Sequence, residues 1–394
     1  MNRVAIADYT LTTALGSGRE ATLAGLRANR SGLRHQGFET AALDTWLGEV
    51  DGVDAHPLPE SLRRFDCRNN RLAWLGLRAD DFAASVGRAR DRHGAERVGV
   101  FLGTSTSGLL TTEQGYRRRD PVTGALPTGF DYAGTHGTGS LAQFVRAALG
   151  LHGPAFVIST ACSSSAKAYA SAARMIALGL IDAAVVGGVD SLCMTVLYGF
   201  HSLELLSPGI CRPWDAARRG ISLGEGASFA LLERGAARPR GWLLGVGETS
   251  DGFHMGSPHP AGAGAAAAMR EALAAAGLEA SQVDYLNLHG TATFNNDAAE
   301  DLAVTAVFGD RVPCSSTKGA TGHTLGAAGG VEAAIALLAL EHGVMPGGST
   351  RTVADPALHA RYLDRSVDAS LRVVASNSFG FGGSNACLVF GRAD

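Results

Sequence analysis

The stretch that decides the fold is 157–179, VISTACSSSAKAYASAARMIALG. Its apolar opening reads as the end of a buried strand, and the run of small residues after Cys162 reads as a helix. Cys162 therefore stands at a strand-to-helix turn. Unpaired backbone N–H groups and the positive end of the helix dipole favour a thiolate there. Taken alone, the residue fits a buried structural cysteine equally well.

Outward from this turn the same alternation recurs. RVGVFLG (97–103), AFVIST (155–160) and DAAVVGGVDS (182–191) read as strands around the helix, an α/β pattern. The Pro- and Gly-bearing RGAARPRG (234–241) interrupts it, and WLLGVGET (242–249) opens a new strand. The expected division is 1–236 and 237–394. The second part repeats the style, with AAAAMREALAAAGL (265–278) and GAAGGVEAAIALLALEHG (326–343) as helices and VDYLNLHG (283–290), VPCSST (312–317) and ACLVF (386–390) as strands. GEGASFALL from Gly224 matches GFGGSNACL from Gly380 at Gly226/Gly382, Ser228/Ser384, Ala230/Ala386 and Leu232/Leu388. The same offset sets Cys162 opposite Lys318 and Ser159 opposite Ser315. Two duplicated halves, each supplying a loop to one site, are expected.

Composition narrows the function. A net charge of -3 in 394 residues lacks the basic excess that nucleic acid or an anionic membrane demands. The six cysteines, Cys67, Cys162, Cys193, Cys211, Cys314 and Cys387, show no zinc spacing, so no metal is expected and reduced thiols point to the cytoplasm. The N-terminus lacks the pattern of a secretory signal. AAIALLAL (333–340) is shorter than the about 20 residues that cross a bilayer, so no membrane span is expected.

Two histidines occupy turns of this pattern. His289 ends the strand YLNLHG beside Gly290, and His323 lies among glycines in STKGATGHTLGAAGG, with Lys318 on the same loop. Strand ends are where ligand sites collect. Each histidine alone also suits packing or capping. In SNSFGFGGSNA (376–386), Phe379 and Phe381 are set among glycines, one on each side of Gly380; read alone, this is a β-turn with a hydrophobic staple.

Together, GVFLGTSTSG, TACSSS, CRPWDAARRGISLGEGA, LHGTAT, SSTKGATGHTLGAAGGVE and FGFGGSN resemble, in order and over nearly the whole chain, the elongating β-ketoacyl-acyl carrier protein synthases. The resemblance implies the thiolase-like αβαβα fold of two duplicated halves. It implies that Cys162 accepts an acyl group from a carrier-protein thioester, sulfur being a strong nucleophile without a separate strong base. It implies that His289 and His323 flank a malonyl thioester and stabilise the enolate left by carbon dioxide, and that the backbone N–H groups of Cys162 and Phe379 hold the oxyanion, such donors being worth roughly 3 to 4 kcal/mol. Lys318 and Glu332 match a supporting ion pair, Asp297 and Glu300 match supporting acids, Phe379 matches a gatekeeper aromatic, and DGFHMGSP (251–258) with His254 matches a mobile loop. Gly256, Phe294 and Asn296 depart from the family pattern, which bears on acyl-chain preference. No cofactor is implied, because the substrates ride on the phosphopantetheine arm of acyl carrier protein.

Rival readings have discriminating residues. A thiolase needs a second catalytic cysteine where GFGGSN stands, and Cys387 lies beyond it. A synthase primed by coenzyme A carries Asn in place of the second His. A non-catalytic chain-length partner lacks the nucleophile, and a hydrolase needs a water-activating base. YGFHSLELLSPGICRPWD (198–215) and HGTATFNNDAAED (289–301) look closest to the ketosynthases of aryl polyene clusters, which work with a chain-length-factor partner; housekeeping fatty-acid elongation by a homodimer is the alternative. Carrier proteins are acidic, so Arg63, Arg64, Arg68, Arg71, Arg218 and Arg219 are the expected docking patch, with solvated surface arginines as the plain alternative.

Overall fold

The structure is a computed structural model and describes residues 3–393. Ten strands carry the architecture: β1 (Val4–Thr13), β2 (Val98–Gly103), β3 (Ala155–Ile158), β4 (Ala183–Asp190), β5 (Gly226–Glu233), β6 (Gly241–Ser250), β7 (Tyr285–Asn287), β8 (Cys314–Ser315), β9 (Val373–Gly380) and β10 (Ser384–Arg392). The helices that matter here are α1 (Arg68–Arg78), α2 (Ser164–Ala177), α3 (Met194–Ser202), α4 (Ala263–Ala276), α5 (Phe294–Phe308) and α6 (Ala328–His342).

The strands run in the order β8-β7-β9-β10-β6-β1-β5-β4-β2-β3, with a short Gly16–Ser17 strand beside β1. Each half has one topology. In the first, β2 pairs parallel with β3 and β4, after which β5 and β1 add antiparallel. In the second, β7 pairs parallel with β8 and β9, and β10 and β6 add antiparallel. A short antiparallel pairing of Val4–Ile6 with Gly241–Leu243 joins them. The chain passes between the halves through 234–240.

The halves differ in where they carry extra chain. Residues 191–225 lie between β4 and β5, where the second half has only 381–383 between β9 and β10. Conversely, 343–372 lie between α6 and β9, where the first half has only 178–182 between α2 and β4. The two excesses largely offset one another, and the longer approach from Lys318 to α6 than from Cys162 to α2 takes up the rest, which is why a constant offset relates the Cys162 and Lys318 loops and also the ends of the halves.

α2 and α6 lie side by side between the two half-sheets, while α1 covers β5 and α4, backed by α5, covers β6 and β10. The result is the thiolase-like αβαβα layering. α6 is buried at every residue from Ala328 to Leu340, as an all-round apolar helix must be. Helical chain from Leu325 to His342 is 18 residues long and apolar enough to span a bilayer, longer than the sequence run indicated, but 89% of it is buried inside the protein. Gly329 sets the helix spacing, since a Cβ there would lie 2.8 Å from the Ala166 Cβ on α2. Both half-sheets thus deliver strand-end loops to one point.

Candidate active site

Cys162 lies in the turn between β3 and α2, two residues before the helix begins, and is 7% exposed. Ala161 adopts φ +53 to make that turn. On the other side of the sulfur stands the loop between β8 and α6, where His323 Nε2 is 3.1 Å from Cys162 Sγ. His323 Nδ1 accepts the Leu325 N–H at 3.2 Å, which fixes the tautomer and leaves the proton on Nε2, facing the sulfur. His289, at the end of β7, is the third corner. The sulfur and one nitrogen of each imidazole lie within 4.8 Å of one another. The rings of His289 and His323 meet edge to face at 5.5 Å. The Nδ1 of His289 is buried with no partner among the described residues.

Electrostatics keep both imidazoles neutral. Burial and then the nearby Lys318 charge push His289 and His323 well below the usual histidine range. Lys318 is buried, donates to the His289 carbonyl at 2.5 Å and forms an ion pair with Glu332. Burial raises Glu332 to about 7 against the pull of Lys318. The His289 loop is held from α5: Glu300 accepts the N–H groups of His289 and Gly290, both at 2.7 Å, and Asn377 Nδ2 at 3.1 Å. Asp297 accepts the N–H groups of Trp214 and Ala292 at 3.0 and 3.1 Å.

Three sequence expectations change. The thiolate expected from the helix N-terminus meets a stronger opposing effect, because burial raises the Cys162 thiol to about 11, with Lys318 and the Phe381 N–H pulling the other way. The amide at the sulfur is that of Phe381, not Phe379. Phe379 is the penultimate residue of β9, 8% exposed and packed in the core 5.9 Å from His289, where it also lines the cavity. The strand ends at Gly380, and the turn through Gly382 and Gly383, both with positive φ, carries Phe381 to the cavity mouth. There it is 38% exposed, with its ring 5.8 Å from Phe200. Gly380 is required at the crossing, since a Cβ would fall 2.7 Å from the Thr160 carbonyl oxygen.

The third change is in the arginine patch. Arg68 is buried among Glu225, Glu49 and Asp54, and Arg218 is buried against Asp355 and Asp297. Neither presents a charge to a partner. The most distant of their acids, Glu225 and Asp355, lie far off in sequence, so a string of arginines could not reveal the burial. Arg71 is held by Asp66 at 2.7 Å. Arg63, beside Glu60, and Arg64 and Arg219 remain exposed.

A cavity of about 510 Å³ rises from Cys162, His289 and His323 past Thr291, Thr293 and the 251–258 loop with His254 and Gly256. Its apolar wall of Phe200, Leu203, Leu205 and Ile221 comes from the 191–225 insertion, which sequence reading used for the family and pathway resemblance but did not place in a cavity wall. The only local signal was the unusual length of that connection.

The β-ketoacyl synthase N-terminal domain profile matches residues 1–237, and the C-terminal domain profile matches 240–349. Nodulation protein E of Rhizobium meliloti (strain 1021) is 37% identical, covering 87% of this chain and 88% of its own. The 3-oxoacyl-[acyl-carrier-protein] synthase 2 of Vibrio cholerae serotype O1 is 32% identical across 99% of both chains. Among solved structures, the ketosynthase ApeO, in complex with its chain length factor ApeC, from Xenorhabdus doucetiae superposes with a TM-score of 0.91 at 39% identity, covering 99% of this chain and 98% of the other. The ishigamide ketosynthase/chain length factor gives 0.89 at 28% identity, covering 100% and 99%. With profiles over both halves and full-length relatives above 30% identity, the chain belongs to the β-ketoacyl synthase family.

Proposed function

We propose that this protein condenses an acyl group held on Cys162 with malonyl-acyl carrier protein, giving 3-oxoacyl-acyl carrier protein. The observation that carries the reading is the triangle of one thiol and two neutral imidazoles over the Lys318–Glu332 pair. Cys162 displaces the carrier thiol from an acyl thioester, forming the enzyme thioester and returning the proton to the departing sulfur. The Cys162 and Phe381 N–H groups stabilise the oxyanion. The malonyl thioester then binds with its carbonyl toward the imidazole N–H groups. The C–C bond to the carboxylate breaks, carbon dioxide leaves, and the enolate attacks the acyl carbonyl. The new C–C bond forms as the C–S bond to Cys162 breaks, and the departing thiolate takes a proton from solvent to restore the thiol. No electron carrier is needed, because decarboxylation supplies the electron pair. Lys318 holds the His289 carbonyl and so positions the imidazole without handling a proton.

We further propose elongation of an aryl polyene or related polyketide chain beside a chain-length-factor partner, a reading supported by the likeness to two ketosynthases solved with such factors. Pairing has a surface to use: β3 is an outer strand of the sheet, with Phe156 55% exposed and Leu178 and Leu180 exposed nearby, an apolar edge that calls for cover. The full-length likeness to a 3-oxoacyl synthase 2 favours the second reading, fatty-acid elongation by a homodimer. Exposed Arg63, Arg64 and Arg219 are the remaining candidates for carrier docking, and the six free thiols suit the cytoplasm. Mass spectrometry of Cys162 after incubation with a panel of acyl-carrier thioesters, with and without a candidate partner, tests both readings. Efficient extension of saturated chains by the protein alone would remove the pigment reading, and no adduct on Cys162 would remove the condensation itself.

A further inference from the structure

Phe294 lies in the cavity wall and has no part in the chemistry above. It is the first residue of α5 and is 57% exposed, whereas Cys162 and His289 on the cavity floor are 7% and 2% exposed. The ring is pinned from one side. The Arg218 guanidinium sits 4.7 Å from its centroid, and Arg218 is itself held by Asp355 at 2.5 Å, Asp297 at 3.7 Å and the Asp215 carbonyl at 2.9 Å. Such a cation–aromatic contact fixes the ring before anything binds.

We propose that Phe294 is a specificity-determining platform for the pantoyl end of the pantetheine arm. The proposal rests on the reading that Cys162 takes its acyl group from a phosphopantetheine thioester. The covalent order of the arm sets the geometry: the thioester comes first, then two amides, then a carbon bearing two methyl groups, then the phosphate. With the thioester at the sulfur, the amides run along the wall that carries the Thr291 and Thr293 hydroxyls, which lie 3.0 Å apart. The methyl groups then reach the outer level, where the Phe294 ring offers a flat apolar surface. A preordered platform adds affinity because little side-chain freedom is lost on contact.

The test measures acylation of Cys162 by an acyl-pantetheine thioester and by the matching acyl-N-acetylcysteamine thioester, which lacks the pantoyl group. Phe294→Ala is expected to raise KM about tenfold for the pantetheine thioester, the loss expected for uncovering two methyl groups. Its kcat stays within about twofold, and both constants for the N-acetylcysteamine thioester stay unchanged. Phe294→Leu, which keeps an apolar surface, is expected to recover most of the loss. Equal KM shifts for both thioesters, or no shift for either, would overturn the proposal while leaving condensation intact. Absence of acyl-Cys162 in the wild-type protein with either thioester would overturn the condensation reading, and this proposal with it.

Discussion

The two halves share one strand topology yet bring different chemistry to the site. The first presents a thiol at a helix start, with its extra chain (191–225) inserted next to the site as an apolar wall. The second presents two imidazoles and a buried lysine, with its extra chain (343–372) placed before β9, and its β9–β10 turn kept to three residues that bring an amide to the sulfur. Duplication supplied the scaffold, and local insertions divided the labour. Apart from the Phe381 amide, acyl transfer should therefore depend on the first half's thiol and enolate formation on the second half's imidazoles.

Removing each half's contribution breaks that comparison most directly. Cys162→Ala is expected to abolish acyl transfer, by about a thousandfold or more, while malonyl decarboxylation, measured as carbon dioxide release, survives; retained condensation would refute the assignment. His289→Ala should do the reverse, cutting decarboxylation by about a hundred- to a thousandfold and leaving the Cys162 adduct yield within a few-fold. If both half-reactions fall together, the division between halves is wrong. Lys318→Ala leaves Glu332 buried without its partner, and unfolding in denaturant should show a loss of about 3–5 kcal/mol. Gly329→Ala pushes a methyl group against α2 at 2.8 Å and should cost about 1–3 kcal/mol, with a matching fall in acylation rate if helix spacing sets the site.

The mildest probe is pH. A thiol raised to about 11 by burial is protonated at neutral pH, so its thiolate fraction climbs with pH and reaches no plateau below the raised value. Alkylation of Cys162 should grow about tenfold per unit across the neutral range. A plateau below about pH 8 would mean that the helix terminus and Lys318 outweigh burial. The histidines, shifted the other way, stay neutral as the pH drops past 6.5, so an inflection in decarboxylation near pH 7 would belong to Glu332, raised to about 7, and not to an imidazole.

Much of this was legible in the chain. Cys162, His289, His323 and Lys318 sit in turn strings that carry a local signal, Glu332 inside α6 came only through the family resemblance, and the internal repeat announced the paired halves. What escaped was anything decided by long-range contact. FGF is locally symmetric, and only the end of β9 at Gly380 tells Phe381 at the sulfur from Phe379 in the core. Arg68 and Arg218 looked like surface charges because Glu225 and Asp355 lie more than a hundred positions away. The cavity wall from 191–225 carries apolar residues with no periodic signature, so their shared surface exists only after folding.

The seam of β1 with β6, Val4–Ile6 against Gly241–Leu243, makes the two half-sheets one mechanical body. A hinge at that boundary would have to break ladder hydrogen bonds and shear α2 past α6, so breathing between halves is not available as a way to admit substrate. Access then falls to the 251–258 loop and the Phe381 turn, movements of a few residues. In hydrogen-exchange terms, acylation should leave the amides of the central strands as slow as before and change protection only at the rim of the cavity.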